Sequence, residues 1–184
     1  MIRIGIICPS EIAFRRFLPA LQKALDKFTF VGVAIASPEE WFGDLTDVSI
    51  ERIEEQQTRE LEKASVFNCR VFTSYKAIIE SDEIDAIYIP LPPALHYKWA
   101  KMALENCKHV FVEKPSTCYL KDTETLITIA NEKGLALHEN YMFMFHNQIK
   151  ELNDIIAAGE SMDDIVGNIH HIIDRTQANN TQLV

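Results

Sequence analysis

Short runs of consecutive apolar residues alternate along the chain with stretches whose apolar residues recur every three or four positions. Arg3 to Ile7 fits a buried parallel strand. Ala13, Phe17, Ala20, Leu21, Ala24 and Phe28 then make one helical face. Phe30 to Ala36 is strand-like, rich in Val and Ile, and Ile84 to Ile89 is another such run, closed by Pro90. Tyr97 to Cys107 carries a helical stripe, His109 to Val112 a strand, and Leu126, Ile127 and Ala130 a helix with Gly134 as its C-cap. Leu135 to His138 gives one more strand, and Ile149, Leu152, Ile155 and Ile156 one more helix, ending at Gly159. Alternating strands and helices require a parallel sheet with right-handed crossovers. The fold class predicted is therefore α/β, a doubly wound parallel sheet of Rossmann-like type.

Two segments depart from this rhythm. Pro38 to Lys63 is long and charged, opens with Trp41 and Phe42, and contains a Glu- and Gln-rich surface helix over 50–63. Trp41 and Phe42 are either an interaction patch or packed core. After the last helix, Gly167 to Asp174 reads as a single strand followed by the polar run Gln177 to Gln182. One strand is not a domain. The expected organisation is a doubly wound domain over 1–160 and the start of a second over 161–184; the family resemblance given below implies that the second is a truncated α+β domain. That last strand, with an unpaired edge, is expected to invite self-association.

Composition narrows the partners. The chain has 184 residues, a net charge of −9 and a pI near 5.1. An acidic surface argues against nucleic acid, whose phosphates reward clustered Lys and Arg. No run reaches the roughly 18 apolar residues of a membrane helix, and the N-terminus has no signal-peptide pattern. Cys8, Cys69, Cys107 and Cys118 are scattered without C-x-x-C spacing, so no metal site is expected. Reduced thiols and a cytoplasmic location follow as expectations.

Ligands of such sheets bind beyond the C-terminal strand ends. After the first strand, a dinucleotide fold carries G-x-G-x-x-G or G-x-G-x-x-A, with glycines for a tight turn and close approach to pyrophosphate. Here the turn reads Cys8-Pro9-Ser10-Glu11-Ile12-Ala13, and only the last small residue survives. Pro9 has no N–H to offer a phosphate and Glu11 adds negative charge, but the helix N-terminus and its dipole remain. Cys8, Ser10, Glu11 and Ile12 are the candidate pyrophosphate contacts. After the second strand, Ser37 stands where a ribose is read, and Ser37-Pro38 is equally ordinary turn chemistry. After Ile84–Ile89 comes a proline-fixed loop in which Leu91, Pro92 and His96 are candidate cofactor contacts. His96, in the first turn of a helix, is alternatively a packing or capping residue. Glu113-Lys114 follows His109–Val112. A Lys there can donate to a substrate oxygen or to a carboxamide, and desolvation would bring it toward an acid–base range; alternatively the pair only tidies a strand end. Glu139 and Asn140 face the same cleft.

Taken together, Ile84–Pro90, Leu95-His96, Lys108–Pro115, Gly5–Ile7 with Ala13–Ala20, and Tyr141-Met142 with Phe145-His146 resemble the Gfo/Idh/MocA oxidoreductase family over about residues 1–174. The resemblance implies an enzyme that binds NAD or NADP and acts on a sugar, cyclitol or related polyol by hydride transfer. It implies that Lys114 sits beside nicotinamide and substrate as the catalytic lysine. It also exposes departures: Cys8 and Ser10 for glycines, Pro38 for an Arg, Pro93 for an Asn and Met144 for an Arg. The family's C-terminal domain carries the rest of the substrate site, and the chain is expected to stop after that domain's first strand. No appreciable turnover is therefore expected of these 184 residues alone. The competing reading is a non-catalytic relative, a binding or regulatory module that kept the fold.

Overall fold

The computed structural model describes residues 1–158, which fall into two units that meet between Asn140 and Tyr141. In the first, six strands form one all-parallel sheet: β1 (Ile2–Ile7), β2 (Phe28–Ala34), β3 (Arg70–Phe72), β4 (Ala86–Ile89), β5 (His109–Val112) and β6 (Leu137–Glu139). Their order is β3-β2-β1-β4-β5-β6. That order is the doubly wound arrangement in which the chain starts in the middle and winds outward both ways.

The strands are aliphatic because both faces are covered. Side chains alternate: Ile6, Val33, Ile35 and Tyr88 share one cluster with Ala13, Ala64 and Phe67, on the face of the first crossover and of α3 (Ile50–Ser65). Ile7, Ala34, Ile87, Ile89, Val110 and Val112 join the opposite cluster, which also holds α4 (Tyr75–Ile79), α5 (Pro93–Glu105) and α6 (Leu120–Lys133). Gly5 belongs in the central strand for a steric reason: a Cβ there would lie 2.7 Å from Ile78 Cδ1. At the opposite end of the sheet, Asp85 takes a bidentate pair from Arg3, at 2.9 and 2.6 Å, together with the Arg3 N–H. The Arg3 hydrogen bond leads in holding the Asp85 carboxyl down to about 2.

The α/β reading holds, with differences in detail. The apolar spacing from Ala13 to Phe28 predicts one helix. The structure has a π-type turn over Ala13–Phe17, in which Leu18 N–H reaches back to Ala13 O, then α1 (Leu18–Gln22). The chain turns at 23–27, and Phe28 opens β2. The periodicity ran on because the first apolar residue of a strand happened to fall on the helical spacing. β3 is not marked by the pattern, having three residues and only Phe72 buried. α2 (Pro38–Phe42) and α4 are likewise too short to show a period. The helix expected over 50–63 is α3, and Gly134 closes α6 with φ 64°.

In the second unit, a 3₁₀ turn (Met142–Phe145) leads to α7 (Asn147–Ala157), where His146 Nδ1 caps the Gln148 N–H at 3.3 Å. Gly159, the strand expected over 167–174, the polar run 177–182 and the second-domain segment 161–184 lie outside the described residues.

Candidate active site

Loops after β1, β2, β4, β5 and β6 gather at the C-terminal edge of the sheet. The strand order reverses between β1 and β4, the point where ligands bind in such sheets. A cleft of about 540 Å³ lies there, walled by the turn Cys8–Glu11, Phe14, Lys63, Phe67, Pro90 and Pro92.

The turn keeps the backbone of a glycine without the glycine. Cys8 has φ 73°, in the left-handed region that a Cβ disfavours. Ser10 N–H returns to Cys8 O at 2.9 Å, and Ser10 Oγ caps the following helix by accepting from Ala13 N–H at 3.3 Å. Glu11 is turned along the helix and pairs with Arg15 at 2.6 Å, so its charge is compensated outside the turn. The N–H groups of Glu11 and Ile12 make no hydrogen bond among the described residues. Burial pushes the Cys8 thiol up, with the Tyr75 hydroxyl opposing. Cys8 is therefore a packed thiol rather than a nucleophile.

At the end of β2, Ser37 is an N-cap. Its hydroxyl accepts from Glu40 N–H at 3.2 Å and donates to Glu39 Oε2 at 3.0 Å, while Glu40 Oε2 accepts from Ser37 N–H at 2.9 Å. The same Glu40 carboxylate takes Tyr75 and Lys76 N–H at 2.8 and 2.9 Å, fastening the start of α2 to the start of α4. Ser37 thus caps its own helix. Trp41 is half exposed and Phe42 lies under the Arg52 guanidinium at 5.6 Å, so the pair belongs to neither sheet core.

At the ends of β4, β5 and β6 lies a polar network. Glu113 is buried, and its Oε1 accepts from Tyr88 Oη and from Asn140 Nδ2, each at 2.7 Å. Burial first, then Glu113, push the Tyr88 hydroxyl up, so it stays a donor. Tyr88 also stacks on Phe17 at 3.9 Å. His96 is fully buried: Nδ1 lies 2.8 Å from Pro115 O and Nε2 2.6 Å from Leu91 O. It therefore ties the loop after β4 to the loop after β5. A neutral ring donates to only one of these carbonyls at a time. Glu139 accepts from Ser116 N–H at 2.6 Å. Between these fixed points Lys114 is exposed and makes no hydrogen bond or ion pair among the described residues. Those residues do not supply the burial expected to desolvate it. Leu91 is buried, while Pro92 lines the cleft.

Of the candidate residues, Cys8, Ser10, Glu11 and Pro92 share the cleft, while Glu113, Asn140 and His96 hold the loops in place. Ser37 is engaged by its own helix. Sequence reasoning missed Tyr88, although a tyrosine in an aliphatic buried strand signals a hydroxyl with a fixed partner. It also missed Tyr75 and Glu40, which no local pattern marks.

The family model for oxidoreductases with an NAD-binding Rossmann fold matches residues 2–141. The chain belongs to the Gfo/Idh/MocA oxidoreductase family. Among curated members, the dTDP-3,4-didehydro-2,6-dideoxy-alpha-D-glucose 3-reductase of Streptomyces violaceoruber is 37% identical, over 86% of this chain and 40% of that protein. The enzyme of the same name from Saccharopolyspora spinosa is 35% identical, over 86% and 42%. Among solved Gfo/Idh/MocA-like structures, the 3-ketoreductase KijD10 of Actinomadura kijaniata, in complex with NADP and TDP-benzene, superposes with TM-score 0.66 at 34% identity, over 86% of this chain and 42% of that one. The chain thus spans about two fifths of the length of the curated relatives it matches. No helix among the described residues is long and apolar enough to cross a membrane, and no group of His, Cys, Asp or Glu among them has the makings of a metal site.

Proposed function

We propose that this chain is the dinucleotide-binding part of an NAD(P)-dependent oxidoreductase acting on a sugar, with nucleotide-linked keto sugars as the substrate class. The observation that carries the reading is Cys8, held at φ 73° above the cleft at the β1/β4 switch point. A conformation costing about 1–2 kcal/mol in a residue with a Cβ is kept in the turn that lines this cleft.

In this reading the pyrophosphate rests on the turn Cys8–Ile12, where the Glu11 and Ile12 N–H groups are without partners. Leu91 and Pro92 border the dinucleotide, and the nicotinamide supplies or accepts the hydride when bound. Lys114 is the catalytic residue: its free ammonium donates to the substrate oxygen that gains or loses the hydride's partner proton. Glu113, Asn140 and His96 fix the loop that carries it. The substrate class rests on the relatives at 35–37% identity. A cytoplasmic location belongs to the same reading, supported by four free thiols.

The alternative, a relative without cofactor, draws on Pro9, which offers no N–H, and on the engaged Ser37 hydroxyl. Calorimetric titration with NADH and NADPH decides between them. Micromolar binding of either is expected; no binding up to millimolar cofactor by folded protein overturns the oxidoreductase reading.

A further inference from the structure

The four cysteines are free thiols in unlike settings. Cys8 and Cys69 are partly buried, and burial pushes both thiols up, which leaves them poor nucleophiles. Cys107 and Cys118 are exposed, and exposure brings a thiol within reach of an oxidant. These two differ in one respect. Cys118 has no polar partner among the described residues, whereas Cys107 Sγ lies 3.8 Å from Lys133 Nζ.

Two helix ends set that contact. α5 closes at Glu105 with Asn106 as its C-cap, and Cys107 follows with φ 58°. Lys133 is the last residue of α6, directly before Gly134. Its ammonium donates to Glu105 O at 2.6 Å, one of the carbonyls that a helix C-terminus leaves open. That bond anchors a long side chain and holds its nitrogen beside a sulfur 26 positions away in the chain. α5 leads from the end of β4 to the start of β5, and α6 from the end of β5 to the start of β6. The last residues of the two packed helices therefore meet at the edge of the sheet opposite the cleft.

We propose that Cys107 and Lys133 are a modification site: peroxide joins them by a reversible sulfur–nitrogen bond. In the first step hydrogen peroxide oxidises the Cys107 thiol to a sulfenic acid. An S–O bond forms, the O–O bond breaks, and the peroxide is reduced to water. In the second step Lys133 Nζ attacks that sulfur. An N–S bond forms, the S–O bond breaks, and the hydroxyl leaves as water with one proton from nitrogen. The remaining ammonium proton goes to solvent, and no further oxidant is consumed. Sulfenic acids condense with a thiol or a nitrogen at hand, and a nucleophile already in contact has the advantage of proximity. Two molecules of a small thiol undo the bond: the first frees the amine and leaves a mixed disulfide, and the second reduces that disulfide. The link braces two helices whose opposite ends carry the loops after β4 and β5.

The test treats the 184-residue chain with hydrogen peroxide and maps its peptides by mass spectrometry. The expected product joins the Cys107 and Lys133 peptides at two hydrogens below their summed mass, and dithiothreitol separates them again. Cys118, with no amine beside it, is expected to run on to the sulfinic acid, two oxygens heavier. Lys133→Arg keeps the charge and the hydrogen-bond donors but removes the amine. In that variant Cys107 is expected to end as sulfinic acid like Cys118. Both residues of the pair are exposed, so circular dichroism is expected to match wild type. Oxidation is expected to raise the melting midpoint of wild type by about 5 °C and that of Lys133→Arg not at all. Sulfinic acid at Cys107 of wild type in the yield seen at Cys118 overturns the cross-link. So does a disulfide from Cys107 to another cysteine, or a Cys107 thiol left unchanged. A joined peptide without a higher midpoint overturns the brace.

Discussion

The loops after β1 and β5, two banks of the sheet's C-terminal edge, are built on opposite terms. The bank after β1 has lost the residues that define its turn but keeps the turn's shape, with Cys8 at φ 73°. The bank after β5 keeps its Glu-Lys-Pro residues, and each of the groups holding them depends on a specific partner: Tyr88 and Asn140 on Glu113, Leu91 and Pro115 on His96. A backbone path can outlast its residues when the strands on either side dictate it. A side-chain network has no such support and is legible only while its members are present.

Four changes break or sharpen this contrast. Glu113→Ala leaves the Tyr88 hydroxyl and the Asn140 amide without their buried acceptor and is expected to cost about 2–3 kcal/mol in urea unfolding. A loss under about 1 kcal/mol would show that the β5 bank tolerates exchange as the β1 bank does. Cys8→Gly relieves the left-handed strain, worth about 1–2 kcal/mol, against lost packing of a small side chain. Stability is expected to hold or rise slightly, and dinucleotide affinity to rise several-fold by calorimetry. A weaker dinucleotide would mean that the thiol itself contributes to the site. Asp85→Asn, at the other end of the sheet, is a control outside both banks. The Asp85 carboxyl is held down to about 2 by Arg3, so its contribution is complete above the ordinary carboxylate range and is lost as pH falls through about 2. Its pair is partly exposed, at 43% and 35%, so the expected loss at neutral pH is only about 1 kcal/mol. The gap between variant and wild type closes as pH approaches 2. Lys114→Ala is expected to move stability by less than about 0.5 kcal/mol, as an exposed residue without partners, while removing turnover from a chain that includes the substrate domain. Unchanged kinetics there would remove Lys114 from the chemistry.

Most of the sheet was legible because buried parallel strands are continuous apolar runs and their helices are amphipathic. β3 escaped because three residues, with one buried, carry no period. The apolar spacing predicts too long a helix after β1 because Phe28 falls in step with it. At the site, the strand ends that share the cleft are legible, and the specific side-chain pairings across strands are not. Glu113 and Lys114 stand out in the sequence, yet Tyr88 reaches Glu113 from 25 positions away. Ser37 was open to two roles because its partner, Glu40, also serves a helix 35 residues on. The strain at Cys8 is invisible in the letters, since only a φ angle distinguishes a displaced glycine position from an ordinary cysteine.

The pairing of β1 with β4 has a consequence in time. Ile4 sits beside Ala86, and Arg3 binds Asp85 across 82 residues. Contacts so distant along the chain slow folding. During synthesis, at about 5–20 residues per second, β1 emerges roughly 4–16 s before β4. For that interval β1 has no partner on its β4 edge, and its aliphatic run is an uncovered apolar surface. Nascent-chain arrest before and after residue 89 would time its disappearance.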